Sequence, residues 1–129
     1  MALMAMAGAA QAPKANCDTW LSQNEMNGCT RLEFERADAE MNAQWKKAVA
    51  KSKAWDREPE HTPDGRPGYF ETLLAAQRAW LVYRDKHCMR EGYIMRGGSA
   101  EPYVYNICRS RLTKARAAEL KVLAEGQIN

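Results

Sequence analysis

The chain has 129 residues, with 19 Lys and Arg against 16 Asp and Glu, for a formal net charge of +3. That length suits one domain with a modest core, and the charge is too small to argue for a nucleic-acid binder. The apolar run at its start, roughly ten residues, falls short of the ~20 that a membrane-spanning helix needs.

Residues 1–12 carry no charge and end in Ala10-Gln11-Ala12, ahead of Pro13. They read as the remnant of a secretory signal peptide, with an apolar stretch and an A-x-A cleavage site but no basic n-region. The remaining residues, 13–129, are then expected to form a single helical domain. Cys17, Cys29, Cys88 and Cys108 all follow the cut. An even cysteine count in a small exported domain indicates a disulfide framework, and with it a periplasmic or secreted location. No cysteine directly follows the small-residue run, so lipoprotein anchoring has no support.

Ser22 and Glu25 match a capping box, which starts a helix expected over 23–51. Met26, Cys29, Ala37, Met41, Trp45 and Ala48, with Phe34 alongside, recur at three- and four-residue steps and form its apolar stripe. Residues 55–68 hold three prolines and the Asp64-Gly65 turn, and read as a loop. A second helix is expected over 69–91. Leu73, Leu74, Gln77, Trp80, Leu81, Arg84 and Cys88 share one face, and Gly92 stands as its stop. Gly97 and Gly98 allow a tight connection, Ser99 is a candidate N-cap, and Pro102 fits a first turn. The third helix, expected over 100–125, turns Val104, Ile107, Cys108, Leu112, Ala115, Ala118 and Val122 inward. Leu120 and Leu123 broaden that stripe, and Gly126 ends it. Trp20 and Trp55 fall outside these stripes. No β-alternation and no internal repeat is visible.

These elements predict an all-α fold: a small, disulfide-stapled, up-down bundle of three main helices. In it the cysteines gather at one end. That leaves three connectivities open, of which sequence proximity favours Cys17–Cys29 and Cys88–Cys108.

Chemistry-bearing constellations are sparse. His87 and Cys88 are adjacent and point to different faces of a helix, His61 sits in the loop, and no C-x-x-C occurs. Neither a metal site nor a cysteine nucleophile is therefore expected, nor any cofactor or enzymatic activity. Arg84 lies on an apolar face and must be paired if buried. Asp38, with Asn42 four residues on, lies beside the stripe of the first helix, and Asp85 neighbours Arg84. These four are expected to act as scaffold, fixing helix register. Charge is unevenly spread. Glu25, Glu33, Glu35, Asp38 and Glu40 outnumber Arg31 and Arg36 in the first helix, while Arg109, Arg111, Lys114, Arg116 and Lys121 face only Glu119 in the third. Complementary packing of the two helices, or solvated faces, is the plain reading. A docking surface is the sharper one.

Several stretches carry a family resemblance. They are residues 24–29 (Asn-Glu-Met-Asn-Gly-Cys), residues 37–42 (Ala-Asp-Ala-Glu-Met-Asn), residues 77–88 (Gln-Arg-Ala-Trp-Leu-Val-Tyr-Arg-Asp-Lys-His-Cys), Gly97-Gly98-Ser99, and Cys108 through Leu120. The chain resembles, over roughly residues 17–123, the bacterial secreted domains named after the lysozyme inhibitor LprI. The resemblance implies a small all-helical, disulfide-containing domain of the cell envelope that binds a partner, a lysozyme or another envelope protein. It brings no catalytic residues. The candidate partner-binding residues are the loop acids Asp56, Glu58, Glu60 and Asp64, which could enter an enzyme cleft. The alternative is a structural or stress-related envelope protein that contacts anionic glycan through the third helix.

Overall fold

The computed structural model describes Cys17, residues 22–58 and residues 64–126. The segment 1–12, Trp20, Glu60 and His61 lie outside the described residues. Three helices account for nearly all of the rest: α1 (Gln23–Asp56), α2 (Tyr69–Gly92) and α3 (Glu101–Glu125), with a short 3-10 turn, Tyr93–Met95, between the last two. They run up, down and up, so α1 and α3 are parallel and pair along most of their length, while α2 lies antiparallel against both. Among the described residues there is no strand.

The start of α1 follows from its capping residues. Ser22 adopts an extended backbone, its Oγ accepts from the Glu25 N–H at 3.2 Å, and its hydroxyl donates to Glu25 Oε1 at 2.9 Å. The helix then runs to Asp56, a turn and a half beyond the expected end at residue 51. Trp55 is thus a helical residue. Its ring meets Tyr69 edge-on at 5.1 Å and lies close to Gly126. The loop expected over 55–68 accordingly begins only at Arg57.

The core is small. Met41 and Ala48 of α1, Leu73 of α2, and Ala117 and Leu120 of α3 form its centre, and Trp45, Val49, Trp80 and Leu81 pack around them. Truncating a fully buried residue such as Leu120 would cost about 2–5 kcal/mol. Two disulfides staple the far end: Cys17–Cys29 at 2.04 Å and Cys88–Cys108 at 2.11 Å. This is the favoured pairing, and no cysteine is left free.

The expected faces of α1 and α2 are the ones that pack. That of α3 is not. Ile107, Ala115, Ala118 and Leu123, all expected inside, are exposed, while Val104, Leu112 and Val122 are half-buried. Cys108 and Leu120 are buried, but the other buried positions are Asn106, Ser110, Thr113, Arg116 and Ala117. The helix is turned so that a largely polar stripe faces its neighbours. The physical reason is matching: Asn106 finds partners on α1, and Thr113 and Arg116 on α2, which hydropathy spacing does not register; Ser110 Oγ is buried without one.

One further local expectation fails. Ser99 does not cap α3; its carbonyl instead accepts from Asn27 Nδ2 at 2.9 Å, and Ala100 occupies the cap position without a side-chain bond. Gly92 is the last residue of α2, in a right-handed conformation that leads into the 3-10 turn. Gly126 does end α3, in a left-handed conformation with φ 69° that favours glycine.

Candidate functional site

The interior polar residues line a seam between the helices. Arg84, its side chain 9% exposed, donates from Nη1 to Asp38 Oδ1 at 3.3 Å and to Thr113 Oγ1 at 3.4 Å, and from Nε to Asp85 Oδ1 at 2.9 Å. Its guanidinium also lies 5.1 Å from the Phe34 ring centre and 5.3 Å from that of Trp80. Asn42 Nδ2 donates to Asp38 from the solvent side, at 3.4 Å. One cation thus ties all three helices, with its charge balanced by two half-exposed carboxylates.

Above and below it run two further contacts. Toward the disulfide end, Arg109 stacks 3.7 Å from the Phe34 ring centre and 4.3 Å from that of Tyr105, and donates to Asn106 Oδ1 at 2.8 Å. Asn106 in turn donates to the Asn27 carbonyl at 3.3 Å. Burial disfavours the charged form of Arg109 and lowers its pKa from the ordinary arginine value. Toward the other end, Arg116 Nε donates to Gln77 Oε1 at 2.9 Å, and Gln77 Nε2 contacts Met41 Sδ at 3.7 Å. Apolar stripes do not reveal Gln44 of α1, or Asn106, Ser110 and Thr113 of α3, as interior residues. The spacing of the last three, at steps of four and three, is the signal that could have found them.

The loop acids are placed unequally. Asp56 caps α2: its carboxylate accepts from the backbone N–H groups of Tyr69 at 2.7 Å and Phe70 at 3.1 Å. Asp64 bonds Arg66 through both its backbone N–H, at 3.0 Å, and its guanidinium. Glu58 is exposed, and Glu60 lies outside the described residues. Trp55, Tyr69, Thr72, Leu73, Arg116 and Leu123 line a shallow groove beneath this connection.

The acidic first half of α1 and the basic α3 do not pair directly through the residues expected. Asp38 is met by Arg84 of α2, and Arg111 reaches Glu91 of α2 at 2.9 Å. Arg109 and Arg116 are turned into interhelical contacts, which leaves Lys114 and Lys121 as outward cations of α3. Glu25, Glu35 and Glu40 remain exposed along α1.

His87, Glu91 and Cys108 bring donor atoms within 4.8 Å of one another. The Cys108 sulfur is bonded to Cys88, so this group offers no thiolate ligand. His87 instead stacks on Tyr83 at 5.3 Å.

A three-helix domain closed by two disulfides at one end, with an arginine-centred polar seam, defines the class: a small all-α module suited to an oxidising compartment. The chain belongs to the Lysozyme inhibitor LprI family, whose sequence profile matches residues 14–120. A similar protein is "Uncharacterized protein R02472" of Rhizobium meliloti (strain 1021), 40% identical over 120 residues that cover 93% of this chain and 86% of that one. No solved structure gives a significant match to the chain.

Proposed function

We propose that this protein is an exported, periplasmic or secreted, binding domain without enzymatic activity that engages a lysozyme and inhibits it. Family membership is the observation that carries the reading. In this reading residues 1–12 direct export, and residues 13–129 are the working domain. Two disulfides fit that destination.

The surface that suits a cationic lysozyme is the acidic first half of α1. Glu33 and Glu40 are seven residues apart, two helical turns, and so stand on one side of the helix. Glu58 and Asp64 lie at the opposite end, Asp64 beside Arg66, and with Glu60, between them in sequence, they are the second candidate surface. Asp56 serves the fold, because its carboxylate is committed to α2. Acidic surfaces of this kind act mainly by steering association, so binding weakens as salt screens them.

The test is binding of the oxidised protein to chicken-type and goose-type lysozymes at low and physiological salt. Glu33→Gln/Glu40→Gln and Glu58→Gln/Glu60→Gln double variants are compared with the unaltered protein. Slower association of the first variant assigns the interface to α1, and of the second to the connection. Absence of binding to both enzymes would remove the reading.

A further inference from the structure

From residue 78 to residue 99, the residues exposed as a whole that carry charge are all cations: Arg78, Lys86, Arg90 and Arg96. The two acids of this stretch, Asp85 and Glu91, have side chains 47% and 36% exposed, and each is held by an arginine, Arg84 and Arg111 respectively. Steps of three and four residues place Arg78, Val82, Lys86, Met89 and Arg90 on the single face of α2 that the bundle leaves outside, and the exposed Tyr93 opens the turn that follows. Large apolar groups stand between the cations. Val82 is 63% exposed, Tyr83 54%, Met95 46%, and Ile94 79%. Single exposed apolar residues need no explanation, but a run of them framed by one sign of charge does.

The tip of this face is firmly held. The Cys88–Cys108 disulfide anchors the end of α2. The Arg96 N–H donates to the Tyr93 carbonyl at 3.1 Å and the Gly98 N–H to that of Met95 at 2.9 Å, while the Gly97 N–H donates to Glu101 Oε2 at 2.7 Å. Arg96 lies 4.4 Å from the Tyr93 ring centre. Ile94 and Met95 are therefore presented on an ordered turn, and their exposure is a property of the fold.

We infer that this face docks on the surface of an anionic phospholipid bilayer, with the cations against headgroup phosphates and Ile94 and Met95 dipping into the interfacial region. Charge complementarity selects an anionic surface. The protruding apolar turn selects lipid among such surfaces: an acidic protein would need a hollow shaped to Ile94, whereas a lipid layer accepts any apolar tip. The contact is peripheral, since among the described residues no helix is long and apolar enough to cross a membrane. It uses a different face from the acidic part of α1 and does not depend on lysozyme binding.

The experiment is vesicle flotation of the oxidised full chain with phosphatidylcholine alone and with phosphatidylcholine mixed with phosphatidylglycerol. Ile94→Ser and Arg90→Ser/Arg96→Ser variants run in parallel. Binding is expected only to the mixed vesicles. It should weaken about fivefold for each cation removed and about tenfold for Ile94→Ser. All altered side chains are exposed, so thermal melts of the variants should match that of the unaltered protein. No flotation with the mixed vesicles, or equal flotation of all three proteins, would overturn the inference. So would complete competition by soluble polyglutamate together with an unaffected Ile94→Ser variant, which would mark a general polyanion-binding face.

Discussion

Arg84 of α2 and Asp38 of α1 meet at 3.3 Å, with the arginine side chain buried and the carboxylate 36% exposed. We propose that the pair is a register device rather than a simple source of stability. A buried cation costs desolvation that one half-exposed carboxylate does not fully return, and Asp85, Thr113 and the faces of Phe34 and Trp80 supply the remainder. Arg84→Ala should cost about 3 kcal/mol, because it leaves a cavity and an unpaired Thr113 hydroxyl. Asp38→Asn should cost about 1 kcal/mol, since solvent reaches that position. Urea unfolding of both variants measures this.

Asp56, expected in the loop but the last residue of α1, has a structural task. Asp56→Ala should lower stability by about 1 kcal/mol through loss of the α2 cap. Asp56→Asn should retain most of it. Lysozyme binding should be unchanged in both, as read from association rates in parallel with the melts.

The disulfides close spans of 12 and 20 residues. Chain entropy assigns each about 3 kcal/mol. Replacing Cys88 and Cys108 together by Ser should lower the melting temperature by more than about 10 °C. It should also loosen the 93–98 turn, which hydrogen exchange of the Gly97 and Gly98 amides would report.

Gly126 combines a positive φ with close approach to Lys51 and Trp55, where an added Cβ would come within 3.1 Å of both. Gly126→Ala should destabilise by about 1 kcal/mol or more. Tryptophan fluorescence during thermal unfolding would register it, because Trp55 is one of the two contacts.

The parts of this fold that follow from sequence are those where one residue type has one job. Ser22 and Glu25 announce the start of α1, the Met41 and Ala48 stripe marks its buried side, and Gly126 ends α3. Arg84 among Trp80, Leu81 and Cys88 signals a buried cation in need of an acid, and Asp38 is in reach. The orientation of α3 was hidden because its interior is polar. Thr113 is buried for Arg84, Arg116 for Gln77, and Asn106 for the Asn27 carbonyl. Such matches exist only once three helices are side by side, whereas Ile107, Ala115 and Ala118 form a more apolar stripe that faces outward. The outer face of α2 was hidden for a related reason: its cations and apolar residues look ordinary until Asp85 and Glu91 are seen to be already engaged.

Inhibition of muramidase activity by the purified, oxidised protein is the most direct measurement, made against chicken-type and goose-type lysozymes at low and physiological salt. Inhibition is expected at roughly micromolar concentration or below, stronger at low salt and weakened by Glu33→Gln/Glu40→Gln. Full muramidase activity of both enzymes at concentrations well above that, in both salt conditions, would contradict a lysozyme-inhibiting role.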